Sequence, residues 1–99
     1  MTDQEAQLRR EVQRGANAQA LIDNPLMIEA LDAYENEIVN QWKTSPLRDA
    51  DGREKLRLML DAATKFRAYL LTTADTGKLA SATIQEKRDP LTRLRRAFG

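Results

Sequence analysis

The chain has 99 residues, of which 41% are hydrophobic and 31% charged, with one Trp, two Tyr, two Phe and a net charge of +1. This composition predicts one domain with a thin, aliphatic core and long solvated helices. The absence of cysteine and histidine excludes disulfides, zinc sites built on thiolate or imidazole, and Ser–His or Cys–His catalytic pairs.

The sequence contains no apolar run near the roughly 20 residues that a membrane helix requires, and its start, "MTDQEAQLRREVQRG", lacks the apolar centre of a signal peptide. We therefore expect no membrane contact and a cytoplasmic location. Charge is uneven along the chain, because residues 78–99 carry six basic and two acidic side chains while residues 1–77 carry ten basic and thirteen acidic ones. This separation of a mildly acidic body from a basic tail favours contact of the tail with a binding partner.

Residues 1–22 are predicted to form an N-terminal helix. Thr2 and Glu5 have capping-box spacing, and Leu8 and Val12 begin an apolar stripe at i+4 steps. Gly15 weakens this stripe.

A second helix is predicted over residues 25–44. Asn24 suits the N-cap, and Pro25 suits the first helical position, where its missing N–H costs nothing. The break "KTSPLRDADG" ends this helix, since Pro46 disfavours helical backbone at Ser45. Either Asp49 or Asp51 can cap the next helix.

A third helix is predicted over residues 52–76, with an apolar alternation of three and four residues that is typical of coiled-coil packing. Gly77 is predicted to stop it in a left-handed conformation, with Leu79 folding back on the last turn. After this stop, "ASATIQEKR" can add a turn or two of helix.

These elements predict an all-α fold, an antiparallel helical hairpin (25–44 and 52–76) with an additional N-terminal helix and coiled-coil-like packing. The domain division is 1–22 for the N-terminal helix, 23–77 for the hairpin core and 78–99 for a basic tail. Either the first helix folds back on the hairpin or hairpins associate, and we favour a homo-oligomer because four aromatic residues cannot all face one seam. The predicted core or oligomer seam comprises Met27, Leu31, Tyr34, Ile38, Trp42, Leu56, Met59, Ala63, Phe66 and Leu70.

The tail contains a cap-and-start signal at Asp89–Pro90, followed by apolar residues at helical spacing. We expect Leu91, Leu94 and Phe98 to dock this amphipathic segment on another protein, with a solvated terminus as the alternative. The basic residues of the tail are candidates for non-specific nucleic-acid contact: Lys87, Arg88, Arg93, Arg95 and Arg96.

No catalytic, metal or cofactor site is expected, so the chain is predicted not to be an enzyme. The acidic residues Glu29, Asp32, Glu35 and Glu37 are expected to be solvated or to pair with arginine and lysine, because helical di-iron sites need histidine. "DADGRE" lacks the closing Glu of a calcium loop, and "TGK" lacks the rest of a phosphate loop. A classical helix-turn-helix is disfavoured, since the 45–51 break is too long.

The segment from Asn24 to Ala80 resembles small helical proteins from the head and DNA-packaging regions of tailed bacteriophages and prophages, through "NPLMIEALD", "WKTSPLRDADGREKL" and "TGKLA". The resemblance implies one of two non-enzymatic roles. A small terminase-like subunit would oligomerise through its hairpin and bind the large terminase through its tail. A head scaffolding or adaptor protein would use the same tail on a capsid or portal protein.

The resemblance also implies a host-cytoplasmic, virion-associated location. The chain departs from small terminases in lacking their N-terminal helix-turn-helix. The alternative from a different class is a nucleic-acid-binding regulator.

Overall fold

The structure, a computed structural model, describes residues 2–88 and residue 95. Within the described range the chain forms three α-helices and no strand: α1 (Asp3–Ile22), α2 (Pro25–Thr44) and α3 (Ala50–Arg88). The all-α prediction of a helical hairpin with an extra helix is confirmed. The helices divide into two compact units, with boundaries near the end of α1 between Ala20 and Leu21 and inside α3 between Leu70 and Leu71.

The helix starts follow the predicted caps. The backbone N–H of Glu5 donates to the Thr2 hydroxyl at 3.1 Å. Asn24 Oδ1 accepts from the N–H groups of Leu26 and Met27 at 2.9 and 3.1 Å, with Pro25 as the first helical residue. These side chains satisfy N–H groups that have no partner within a helix.

The break between α2 and α3 spans residues 45–49. Ser45 caps α2 in an extended conformation, as Pro46 requires of the residue before it. Asp49 rather than Asp51 caps α3, because Asp49 Oδ1 accepts from the N–H of Gly52 at 3.1 Å. The short, capped connection lets α2 and residues 50–70 pack as an antiparallel pair.

The hairpin unit, residues 21–70, has a thin core. Ile38 is 2% exposed and Ala63 6% exposed, and no other residue of this unit is fully buried. Around them Met27, Leu31 and Leu70 are half-buried. The predicted aliphatic core is therefore present but small.

The terminal unit, the described part of which is residues 2–20 and 71–88, packs α1 on the second part of α3. Its buried residues are all Gly or Ala and recur at three-residue steps: Gly15, Ala18, Ala74, Gly77 and Ala80. Small residues on facing helix surfaces let two backbones approach closely. The first helix therefore has its own packing partner within the chain.

The predicted stop at Gly77 is wrong. The third helix continues through Gly77 to Arg88, and no glycine of the described chain has a positive φ. Leu79 is 71% exposed and does not fold back. The reason is that Gly77 lies against the backbone of Gly15, so this glycine serves helix packing and not helix termination.

Candidate functional site: two surfaces of the helical hairpin

One side of the hairpin is bridged by Arg67. Its Nε donates to Glu35 Oε1 at 2.7 Å and its terminal nitrogen donates to Asp32 Oδ1 at 2.8 Å. The hydrogen bond that Arg67 donates to Glu35 is the main cause that raises the pKa of Arg67, and the hydrogen bond to Asp32 adds to it. One guanidinium thus fixes α2 against α3 through two charge-assisted hydrogen bonds.

The four acidic residues of α2 are either paired with arginine or exposed to solvent, as predicted from the sequence. Asp32 and Glu35 pair with Arg67, whereas Glu29 is exposed and Glu37 accepts from Gln41 Nε2 at 3.2 Å. Across the described residues no three acidic side chains come together as metal ligands.

The opposite side of the hairpin carries the exposed aromatic residues Tyr34 and Phe66. Helical geometry rotates each residue by about 100°. Measured around the axis of its own helix, Glu35 lies about 60° from the buried Ile38, and Arg67 lies about 40° from the buried Ala63, in the same sense of rotation. Tyr34 lies about 40° from Ile38 and Phe66 about 60° from Ala63, in the opposite sense of rotation. In antiparallel helices the same sense of rotation leads to the same side, so Tyr34 and Phe66 share a side.

We call Tyr34, Met59, Phe66 and Tyr69 the apolar flank. Their exposed fractions are 46%, 39%, 48% and 62%. On α3 of the hairpin unit, Met59, Ala62, Phe66 and Tyr69 follow one another at steps of three, four and three residues. This is a heptad pattern of its own, separate from the inward face of the same helix.

The single seam predicted from the sequence therefore contains residues of the buried face and of the two sides that flank it. Its buried or half-buried members are Met27, Leu31, Ile38, Leu56, Ala63 and Leu70. Its exposed members are Tyr34, Trp42, Met59 and Phe66. Period alone cannot separate these sets, because neighbouring heptad positions on one helix keep the same spacing.

A concave surface of about 660 Å³ lies at the turn end of the hairpin, and we call it the turn groove. Its apolar lining comprises Ile38, Val39, Trp42, Leu47, Leu56 and Leu60, and charged side chains stand at its edge. Trp42 is 45% exposed and Leu47 87% exposed. Apolar concavities of this size with few polar groups are typical of binding sites.

Arg53 shapes one wall of the turn groove. Its guanidinium carbon lies 4.4 Å from the centroid of the Trp42 ring, within the range of a cation–π interaction. The same guanidinium donates to Ser45 Oγ at 2.9 Å and to the Trp42 carbonyl at 3.3 Å. Sequence reasoning missed this contact, whose only signal is an arginine eleven residues after the single Trp, across a proline turn.

A second arginine at the groove is paired locally. Arg57 donates to Glu54 through two nitrogens, with the shorter contact at 2.6 Å. This hydrogen bond is the main cause that lowers the pKa of Glu54 and raises the pKa of Arg57. Both side chains are more than half exposed, so solvent screens the pair.

Most of the predicted docking tail lies outside the described residues, namely Leu91, Leu94 and Phe98 together with Arg93 and Arg96. Of its basic residues, Lys87 and Arg88 are exposed on the last turn of α3, and Arg95 is helical and exposed.

Comparison with protein-family models, with curated proteins and with solved structures finds no match to this chain. Among the described residues no helix has the length and apolar character needed to cross a membrane.

Proposed function

We propose that this chain is a non-enzymatic helical assembly protein that associates with copies of itself through the apolar flank. The observation that carries the proposal is the exposure of Tyr34, Met59, Phe66 and Tyr69 along one side of an ordered hairpin. Removing apolar area from water stabilises an association by roughly 25 cal/mol per Å². Aromatic residues dominate such contacts.

The spacing of the flank favours a second copy as its occupant. Met59, Ala62, Phe66 and Tyr69 follow one another at steps of three, four and three residues, and such a seam packs best on another helix that repeats in the same way. The thin core supports the same conclusion. In the described chain Ile38 is the one buried apolar residue larger than alanine, so a single hairpin leaves most of its large apolar side chains in water.

We further propose DNA packaging as the process, with the chain acting as a small terminase-like subunit in the host cytoplasm or the virion. Head scaffolding, with capsid or portal protein as the partner, is the alternative. Support for both comes from the sequence resemblance over residues 24–80 and from the basic, amphipathic tail. In both roles the tail recruits another protein while the hairpin builds the assembly.

A nucleic-acid-binding regulator is a second candidate, supported by the exposed Lys87 and Arg88 at the end of α3 and by the exposed Arg95. Binding through these residues would weaken steeply with salt, because each phosphate contact releases counterions. Titration of duplex DNA at low and high salt tests this role. The nucleic-acid-binding role is ruled out if no binding occurs at low salt or if the affinity does not change with salt concentration.

The solution mass tests self-association directly. Light scattering on a sizing column should give a discrete oligomer that persists at high salt, since the flank is apolar. Phe66→Glu should raise the concentration needed for association by at least about tenfold, which corresponds to about 1.4 kcal/mol.

Ala68→Glu is the matched control. It adds the same charge at an exposed position about 160° around the helix from Phe66, and it should leave the mass unchanged. Circular dichroism checks that both variants stay helical. A wild-type monomer at every concentration, or a Phe66→Glu oligomer of wild-type mass, contradicts the proposal.

A further inference from the structure

We infer that the turn groove is a docking site for an acidic amphipathic helix of another protein. The inference goes beyond self-association, because the groove lies on the side of the hairpin that carries Arg67 and not on the apolar flank. Around the helix axis, the groove residue Trp42 lies about 40° from Ile38, and Leu60 lies about 60° from Ala63. Both rotations have the same sense as those of Glu35 and Arg67.

The floor of the groove fits the apolar face of a helix. Trp42 and Leu47 remain substantially exposed, while Ile38 closes the bottom at 2% exposure. A helix in a groove presents apolar anchors at i, i+3 or i+4, and i+7, and a concavity of about 660 Å³ has room for more than one of them.

Leu47 is held in place although it is 87% exposed. Pro46 restricts the backbone before it. The N–H of Asp49 donates to the Pro46 carbonyl at 3.0 Å, which closes the turn around Leu47. An exposed leucine on a constrained backbone, beside a half-exposed Trp, is preorganised at the level of the main chain, and preorganisation lowers the entropic cost of binding.

The charges around the floor select an acidic partner. Arg53 lines the groove and has no carboxylate partner among the described residues. Lys43, Arg48 and Lys55 do not line it, but they are likewise without a carboxylate partner in the described chain and add positive charge to the same stretch of sequence. Residues 43–57 contain five basic and three acidic side chains. Two of those acidic groups are already occupied, since Asp49 caps α3 and Glu54 binds Arg57.

The excess positive charge argues against an occupant from the chain's own tail. Residues 89–99 carry three arginines and one aspartate, so docking them would place like charges together. A partner helix with carboxylates beside its apolar face would instead meet Arg53, whose position over Trp42 is fixed. Charge complementarity of this kind gives both specificity and a faster on-rate.

The test uses Trp42, the only Trp of the chain, as the reporter. Three Trp-free synthetic helical peptides share one leucine seam and differ only in their flanking residues, which are Glu, Gln or Lys. Each is titrated into the full chain while Trp42 emission is followed. We expect a saturable blue shift with the Glu peptide, at a Kd at least about tenfold below that of the Gln peptide, and no shift with the Lys peptide.

Two variants and one control locate the site. Arg53→Gln should remove the preference for Glu over Gln flanks, and Leu47→Ser should weaken the binding of both peptides. Leu26→Ser replaces another exposed leucine, 71% accessible, that does not line the groove, and this variant should bind the peptides as wild type does. Since Leu47 and Leu26 are both exposed, neither change should unfold the protein, and circular dichroism verifies this.

Four outcomes overturn the inference. Equal binding of the three peptides would remove the role of charge, and absence of saturable binding would remove the site. A shift of Trp42 emission on dilution of the chain alone would assign the groove to a second copy. A shift on deletion of residues 89–99 would assign it to the tail. The Phe66→Glu variant should still bind the Glu peptide, so failure of self-association and failure of this inference are distinguishable.

Discussion

Gly15 and Gly77 pack backbone against backbone where α1 meets the second part of α3. A Cβ added to Gly15 would lie 2.6 Å from the Cα of Gly77, and one added to Gly77 would lie 2.7 Å from the Cα of Gly15. Neither helix has room for any side chain at this point. The contact therefore depends on two residues that would each weaken an isolated helix.

We expect Gly77→Ala to destabilise the protein by about 1–3 kcal/mol, the usual range for an overpacked contact. Alanine gains up to about 1 kcal/mol of helix propensity over glycine, but the new Cβ meets backbone that has to move. Chemical denaturation measures the difference. Thr76→Ala, at the neighbouring exposed position, is the control and should be neutral or slightly stabilising. A stabilised Gly77→Ala would show that the helices separate without cost.

The sequence predicted the helices well and the packing less well, for reasons visible at single residues. Caps are local, so Thr2 and Asn24 could be identified from their neighbours alone, whereas Asp49 and Asp51 stayed alternatives for the third helix until the structure showed Asp49 bonded to Gly52. Gly77 has two opposite readings, as a helix stop or as a close-packing position, and only the presence of Gly15 opposite it decides between them. Gly15 and Gly77 are more than sixty residues apart in the sequence, so no local sequence pattern reveals their contact.

The candidate surfaces were predictable in part. The heptad spacing on the third helix was visible in the sequence, as was the basic character of residues 78–99. Those residues are predicted from the sequence to form a tail after the helix, whereas α3 runs through Lys87 and Arg88. The turn groove was not, because it depends on Arg53 reaching back over Trp42 across the connection. Which of two adjacent heptad faces is buried was equally hidden, since Leu56 and Met59 obey the same spacing.

Ile38 should be the most sensitive aliphatic position of the hairpin unit. We expect Ile38→Ala to cost about 2–5 kcal/mol and Ile38→Val about 0.5–1.5 kcal/mol, since both create space in a packed site. Ile28→Ala removes the same atoms from a residue that is 43% exposed and should cost much less. Urea denaturation of the three variants tests the order. An equal loss at positions 28 and 38 would contradict the assignment of Ile38 to the core.

Arg67 should matter more for stability than Arg57. Arg67 bonds two carboxylates on another helix and is 33% exposed, whereas Arg57 bonds one residue on its own helix and is 62% exposed. We expect the denaturation midpoint to fall roughly twice as far, or more, for Arg67→Met as for Arg57→Met. A double-mutant cycle with Glu35→Gln isolates the ion pair. No coupling in that cycle would assign the effect to the arginine stem instead.

The cap of α2 should be worth about 1 kcal/mol. Asn24→Ala removes the oxygen that accepts from two backbone N–H groups, and such changes typically cost about 0.5–2 kcal/mol. Asn36→Ala makes the same substitution at an exposed interior position of the same helix, where alanine is the better helix former. The two variants should therefore shift the thermal midpoint in opposite directions, and a shift in the same direction would contradict the capping role.

The Glu54–Arg57 pair should make a small, acid-sensitive contribution. The hydrogen bond from Arg57 lowers the pKa of Glu54 in the folded protein, so the unfolded chain binds the proton more readily. The stabilisation is then fully present above the unfolded pKa of a glutamate, and it is lost as the pH falls through the lowered folded pKa.

Thermal midpoints of wild type and Glu54→Gln, measured from about pH 7 to about pH 3 across the ordinary carboxyl range, test this. The wild type should be slightly more stable at the neutral end, and the two curves should converge at the acid end. Added salt should reduce the gap, because both side chains are exposed. A gap that widened on acidification would mean that Glu54 is held protonated in the folded state, which the observed hydrogen bond from Arg57 opposes.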